Sequence, residues 1–221
     1  LRNATDKMLE TLPNLEYARA TTIAPRGTVH FAGSLTHVQR LDALRKLKSS
    51  RLQWQGGITR VPEWITGWRG AQMTKLHSQE RDDLRRQLIA ENLLIAPQNR
   101  VRYNAGMRDC KAVLSITGYG EMCFRMAEAW AAHRVLVCQD VSHAHTLFPL
   151  ENGRNAVFCR PDLSDLTDIL DDIECNYEQY APIARQGFED WRQWCEAAPQ
   201  IVREGFAPLF SPAKSPSLVS A

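Results

Sequence analysis

From residue 28 onward the apolar positions switch repeatedly between a two-residue and a three-to-four-residue period. Thr28–Ala32 (TVHFA) reads as a short strand ending at Gly33. Ser34 or Thr36 is placed to cap the helix after it, where Leu35, Val38, Leu41, Leu44 and Leu47 recur at three-residue steps. Arg51–Trp54 predicts a second short strand closed by Gly56-Gly57. Residues 57–79, rich in Gly, Trp and polar groups, have no clean period and read as an irregular segment. Gln79–Asn92 has helical spacing. A further helix is expected from Pro97 or Gln98 through Tyr103 and Met107 towards Cys110, weakened at Gly106. Ala112–Thr117 (AVLSIT) predicts a buried strand running into the loop Gly118-Tyr119-Gly120. The helix Glu121–Ala132 and the strands Val135–Cys138 and Ala156–Cys159 follow. Asp162 or Ser164 is placed to cap a helix through Ile173, and one or two helices are expected over 176–205, with Pro182 and Pro199 as breaks.

Alternating strands and helices, with strands apolar on both faces, predict a parallel sheet covered on both sides. The expected fold is one doubly wound, Rossmann-like α/β domain with C-terminal helices. It would occupy residues 28–205, after an N-terminal extension or linker (1–27) and before a Pro- and Ser-rich tail (206–221). Such sheets bind ligands beyond the carboxyl ends of their strands. That directs attention to Gly33 with its following helix and to Gly118–Glu121.

Composition narrows the class further. In 221 residues, 44% are hydrophobic and 24% charged, which excludes a disordered or collagenous chain. No apolar run approaches the roughly 18 residues needed to cross a bilayer, and no signal peptide opens the chain. The first residue is Leu1 rather than Met, so a longer or processed polypeptide is expected. A net charge of +2 conceals an asymmetry: residues 38–108 carry 14 Lys/Arg against 6 Asp/Glu, and residues 161–204 carry 3 Arg against 11 Asp/Glu. The basic half favours an anionic ligand; the acidic half reads as solvated helix faces. The six cysteines form no CxxC pair and are expected to be reduced.

Two features could carry chemistry at the Gly118-Tyr119-Gly120 turn. Glycines there let backbone approach a ligand, and the N–H groups opening the next helix attract phosphate, although Glu121 competes for them. Arg125 and Glu128 lie three residues apart on one helix face. They suit a diphosphate and ribose hydroxyls respectively, or else simply pair with each other. Other candidates weigh less. Cys138, His143 and His145 match no common zinc spacing. Ser142 and His143 are sequence neighbours without a nucleophile elbow. Trp54, Trp64 and Trp68, interleaved with Arg51, Arg60 and Arg69, suit either stacking on bases and sugars or packing of a long loop. Trp191 and Trp194 read as core. Single-stranded nucleic-acid binding by the 38–108 region is disfavoured by the small net charge.

The stretch YNAGMRDCKAVLSITGYGEMCFRMAEAWAAHRVLV (Tyr103–Val137) resembles the donor-binding, C-terminal half of GT-B glycosyltransferases, exostosin-like enzymes in particular. It carries Tyr103, Cys110-Lys111, the strand Ala112–Thr117, Gly118 and Gly120, and the Arg-x-x-Glu-Ala element Arg125–Ala129. Upstream, Val29–Gly33 followed by Arg40 is similar to the strand-Gly opening of that half. Downstream, Phe148-Pro149 and Asn152–Asn155 resemble the segment after the next strand. The resemblance covers roughly residues 28–175. It implies a nucleotide-sugar donor held by Arg125, Glu128, Gly118, Tyr119, Gly120 and Arg40. Arg125 would meet the diphosphate, Glu128 the ribose, and Arg40 a second phosphate position. The donor is a substrate, and neither a cofactor nor a metal is implied; the acceptor would be a glycan or another hydroxyl-bearing molecule.

Departures from the pattern matter. Retaining relatives place a first Glu eight residues before the second, where this chain has Gly120. His133-Arg134 replaces the usual glycine of the turn after the helix. Only about 27 residues precede the first strand, so an acceptor-binding half, which usually supplies the catalytic base, is missing. Either a missing N-terminal half or a partner subunit completes the enzyme, or the domain is a non-catalytic interaction module that keeps the fold.

Overall fold

The computed structural model describes residues 24–70, 72–120, 123–143 and 150–210. Five parallel strands form the central sheet: β1 (Gly27–Ser34), β2 (Trp54–Arg60), β5 (Cys110–Ser115), β6 (Val135–Gln139) and β7 (Val157–Cys159). Their order is β2-β1-β5-β6-β7. A single bridge, Ile58 to Leu94, sets residues 93–95 outside β2, with Ile58 N–H on Leu93 O and Ile95 N–H on Ile58 O, both at 2.8 Å. With that segment counted, the order is 3-2-1-4-5-6, the doubly wound arrangement, and its switch point lies between β1 and β5.

Side-chain alternation explains why both faces are covered. Val29, Phe31, Ala112, Leu114, Val135 and Val137 point into one apolar cluster, while Val113, Leu136 and Cys138 point into the other. The first face carries α1 (Gln39–Ser49), α2 (Ser78–Ala90) and α5 (Leu166–Cys175). The second carries α3 (Arg100–Asp109), α4 (Phe124–Ala131) and the Phe188–Cys195 stretch of α6 (Tyr177–Phe210), whose opening turns, with Tyr177, Tyr180, Ile183 and Ala184, pack on the first cluster. The helix that follows β1 therefore lies on the opposite face from the one that follows β5, and a crevice opens between their loops.

Several elements differ from the sequence expectation: α1 is capped at Val38 without a bond from the Ser34 or Thr36 side chain, and α4 begins at Phe124. Strand β2 does not stop at Gly56-Gly57 but runs through them. Gly56 has φ +109°, and a Cβ there would fall 1.9 Å from the Phe31 carbonyl oxygen; Gly57 has φ +151°, and its Cβ would fall 2.7 Å from Leu93 O. These glycines let three backbones pack closely rather than ending a strand. Within the expected irregular segment, β3 (Trp64–Ile65) and β4 (Thr74–Lys75) form a small antiparallel pair. Finally, α6 is a single helix through Pro182 and Pro199, and it continues past residue 205. Its Gly187 abuts Trp130, and Trp191 is buried, so packing along α4 and β6 outweighs the proline penalty of about 3 kcal/mol each. Residues 1–23 and 211–221, most of the expected extension and tail, lie outside the described residues.

The turn at His133-Arg134 forms without glycine. His133 adopts φ +53°, its ring stacks on Phe188 at 3.8 Å, and the N–H groups of His133 and Arg134 cap α4 on Trp130 O and Ala129 O. Trp54 and Trp68 pack against the core, whereas Trp64 is exposed with Lys75 Nζ 5.8 Å from its ring centre. Trp191 and Trp194 belong to the second core cluster. Cys110, Cys138 and Cys159 are buried, and all six thiols are free.

One buried group makes the fold acid-sensitive. His30, in the middle of β1, is 1% exposed, and burial followed by repulsion from Arg125 pulls its pKa down to about 4. The unfolded chain binds this proton near pH 6.5, so the folded state loses stability as pH falls from 6.5 towards 4 and is unaffected above that window. The expected loss from His30 alone is about 2 kcal/mol at pH 5, approaching about 3 kcal/mol at pH 4. Thermal unfolding of His30→Asn at pH 7.5 and 5.0 checks this. The variant should show a clearly smaller pH-dependent drop than the natural chain, and an equal drop would assign the acid sensitivity elsewhere.

Candidate functional site

The switch-point crevice is walled by the β1–α1 loop on one side and the β5–α4 loop on the other. Arg40, in the first turn of α1, is 6% exposed and lies across the base of the crevice. Its Nη1 donates to Ser34 O at 2.9 Å, its Nη2 to Ile116 O at 2.9 Å and its Nε to Thr117 O at 3.0 Å. One guanidinium thus ties together the carboxyl ends of β1 and β5, where diverging loops leave their carbonyls without sheet partners. Burial, with Arg125 adding repulsion, pulls its pKa down to about 10, and it remains charged at neutral pH. Its geometry is that of a clamp, with its donors turned towards backbone.

Arg125 approaches from the opposite face. It is the second residue of α4, is 7% exposed, and donates from Nη2 to Ala32 O at 2.6 Å. Its guanidinium carbon lies 4.6 Å from the Phe31 ring centre, a cation–π contact. Nε and Nη1 have no hydrogen-bond partner among the described residues. A buried cation with unpaired N–H groups is costly unless something completes its shell. Gly33 admits it: a Cβ at that position would fall 2.4 Å from Arg125 Nη2. The Thr36 hydroxyl, also buried and without a partner among the described residues, faces Gly118, whose Cβ would meet it at 2.9 Å and Arg40 Nη2 at 2.7 Å.

The rest of the crevice is fixed by neighbours. Glu128, one turn beyond Arg125, accepts a hydrogen bond at 2.8 Å from the Tyr103 hydroxyl on α3. Burial, reinforced by the Glu128 carboxylate, pushes the Tyr103 pKa well above its ordinary value, so the phenol keeps its proton and donates. Thr117 is held through N–H and hydroxyl by Gln139 Oε1, at 3.1 and 2.8 Å. The same amide donates to Gln39 Oε1 and Pro161 O, so all four of its hydrogen-bonding positions are used. Tyr119 is exposed, and its hydroxyl donates to Trp64 O at 2.8 Å, joining the β5–α4 loop to β3. Gly120 has open space where a side chain would sit.

The structure therefore gathers Arg125, Gly118 and Arg40 at one crevice, with Glu128 on the same helix as Arg125 and Tyr119 on the same loop as Gly118. The helix expected from Glu121 begins at Phe124, with Cys123 in extended conformation as its cap. Glu121, His145, Phe148 and Pro149 lie outside the described residues. Cys138 is buried in the core. Sequence reasoning missed Thr36 and Gln139 as site-forming groups, since neither belongs to a local pattern at its own position, and it gave Tyr103, which opens the resembling stretch, no role at the site. The one available signal was a polar residue closing an apolar strand, as Gln139 does after Val135–Cys138.

Chemically, the crevice offers a fixed guanidinium with unused donors and the N–H groups of Phe124 and Arg125 that open α4, the Met126 N–H being taken by Cys123 O. A carboxylate held by a tyrosine lies one turn away. This set suits a phosphate group attached to a hydroxyl-bearing moiety.

No family model matches the chain, and no curated protein matches it. Several solved structures share its fold. The chain is similar to TarM (TM-score 0.60, 14% identity, 87% of this chain and 37% of TarM). It is similar to Anabaena Alr3699/HepE, whose structure holds UDP-glucose (TM-score 0.58, 14% identity, 90% and 52%). A third such structure is sucrose-phosphate synthase (tll1590) from Thermosynechococcus elongatus (TM-score 0.55, 14% identity, 88% and 48%). These are GT-B glycosyltransferases, and the chain has the Rossmann-like fold of one half of that architecture. It spans about half or less of the length of each.

Proposed function

We propose that this chain is the nucleotide-sugar-binding, C-terminal half of a glycosyltransferase of exostosin-like type. The observation that carries the proposal is Arg125, a nearly buried guanidinium at the switch point with Nε and Nη1 unpaired among the described residues. In this reading the donor diphosphate completes that shell and meets the N–H groups opening α4. Glu128, oriented by Tyr103, accepts from the ribose hydroxyls. Arg40 sets the spacing of the two loops, and Gly118 and Gly120 leave room for the ligand, with Tyr119 at the rim. When the glycosidic bond to the diphosphate breaks, negative charge grows on the leaving oxygens, and fixed positive groups of the chain itself stabilise it, so the reading calls for no metal or cofactor. The acceptor, a glycan or another hydroxyl compound, and its catalytic base come from outside residues 28–205, from another half or a partner subunit.

The test is a thermal-shift screen of the chain with UDP, GDP, ADP, CMP and their sugar conjugates, UDP first because HepE is solved with it. A ligand at about 100 times its Kd adds about 2.7 kcal/mol to the folded state, a shift of several degrees. One nucleotide series should stand out, with Glu128→Gln weakening it about tenfold through the ribose contact. No shift with any member at millimolar concentration would overturn the proposal and leave the interaction-module reading.

A further inference from the structure

Gln139 ends β6 as a polar residue after the apolar run Val135–Cys138, and it is 4% exposed. A buried amide is costly unless its oxygen and both N–H hydrogens are used, and the neighbours here admit one orientation. The Thr117 N–H can only donate, and it meets Oε1 at 3.1 Å; the Pro161 carbonyl can only accept, and it meets Nε2 at 2.8 Å. The Thr117 hydroxyl also donates to Oε1, at 2.8 Å, and the second Nε2 hydrogen goes to Gln39 Oε1 at 2.9 Å. Gln39 in turn donates from Nε2 to Pro161 O at 2.6 Å, which closes a ring. One amide thereby links the segment just beyond β5, the end of β6, the start of α1 and the turn after β7.

Thr117 is the last residue before the Gly118-Tyr119-Gly120 turn. Its carbonyl accepts from Arg40 Nε at 3.0 Å, so Arg40 fixes one side of the residue and Gln139 the other. Gly118 then has no slack towards α1, since a Cβ there would fall 2.7 Å from Arg40 Nη2 and 2.9 Å from Thr36 Oγ1. The turn itself is closed by the Gly118 N–H on Gly120 O at 3.1 Å. We propose that Gln139 is a positioning residue for the donor, acting through Thr117 to hold this turn where the crevice admits the diphosphate. Its effect on affinity rests on the donor-binding reading of the crevice; its hold on the turn stands without it.

A ring that only stabilised the sheet would weaken the fold when broken and leave ligand affinity alone. A positioning role makes a different demand, because a group misplaced by about 1 Å can cost up to about 100-fold in function. It also makes two side chains interdependent: without Gln139, the Thr117 hydroxyl has lost the acceptor through which it acts. Three substitutions separate these cases. Gln139→Met keeps the length of the side chain and removes its four hydrogen bonds. Thr117→Val removes the hydroxyl alone and leaves the N–H bond to Oε1, and Thr117→Ser keeps both.

The test is calorimetric titration of the full chain with UDP, repeated with GDP and ADP. Gln139→Met is expected to bind about tenfold more weakly and Thr117→Val about threefold more weakly, with Thr117→Ser binding as the natural chain does. The double variant Gln139→Met with Thr117→Val should bind no more weakly than Gln139→Met alone. Hydrogen exchange of the ligand-free chain reads the hold on the turn directly. The Gly118 amide should exchange at least about tenfold faster in Gln139→Met, measured against the Leu114 amide inside β5. The inference is overturned by a folded Gln139→Met whose affinity stays within about twofold of the natural chain, by losses that multiply in the double variant, or by an unchanged Gly118 rate. Should Gln139→Met not fold, the two Thr117 variants decide, and equal affinities with equal Gly118 rates overturn it. A natural chain that binds none of the three nucleotides defeats the donor reading, and the Gly118 rate then decides whether Gln139 holds the turn.

Discussion

Replacing Arg40 with Ala is expected to lower the unfolding free energy by about 2–4 kcal/mol. Two carbonyls, of Ile116 and Thr117, depend on its guanidinium, and a third, of Ser34, also accepts from the Thr36 N–H at 2.9 Å; all three sit where the loops after β1 and β5 part company. A buried acceptor left unsatisfied costs about 1–3 kcal/mol, and the Ile116 and Thr117 carbonyls are two such acceptors around the space the side chain leaves. Arg40→Lys keeps the charge but replaces a planar fork by a single point donor, so it should recover only about a third of the loss. Urea unfolding followed by tryptophan fluorescence reads both values directly, with an unchanged m-value marking a true stability effect. A loss below about 1 kcal/mol in Arg40→Ala would mean that water replaces the guanidinium, and Arg40 would then not be a clamp.

Arg125→Ala should behave in the opposite way. It forfeits one hydrogen bond to Ala32 O and the Phe31 contact, but it also removes a buried charge whose Nε and Nη1 are unpaired among the described residues. The fold should therefore lose only about 1–2 kcal/mol. Nucleoside diphosphate affinity, by contrast, should fall at least about 100-fold, or about 2.7 kcal/mol, because the ligand loses its charge-assisted partner in a site sheltered from water. Arg125→Lys should stay well below the natural affinity, since an ammonium cannot reach Ala32 O and a phosphate oxygen with the same planar geometry. Calorimetric titration of both variants alongside their urea midpoints separates the two effects. A variant that loses stability heavily and keeps its affinity would make Arg125 structural.

The fold was largely legible because its signals are local. Apolar strands such as Ala112–Thr117 and amphipathic helices such as the one carrying Leu41, Leu44 and Leu47 declare themselves within a few residues. What sequence reasoning misplaced depends on distant neighbours. Gly56-Gly57 looks like a strand end until Phe31 O and Leu93 O are seen pressing on it from both sides. Pro182 and Pro199 look like breaks until the packing of α6 on Trp130 is known. At the site, Arg125 and Glu128 could be named from their spacing, but not that Glu128 answers to Tyr103, twenty-five residues earlier. For Arg40 the resemblance implies a second phosphate contact, and no local pattern shows that three of its nitrogens donate to the ends of two strands.

The central claim is that a nucleoside diphosphate sits in the crevice between the β1–α1 and β5–α4 loops. The measurement that addresses it most directly is amide nuclear magnetic resonance of the isotope-labelled chain during titration with UDP. The account predicts saturable shifts concentrated at Gly33–Thr36, Thr117–Gly120 and Phe124–Arg125, all of them lost in Arg125→Ala. Saturable shifts centred away from these loops, or no shifts at millimolar UDP or any other nucleoside diphosphate, would contradict it.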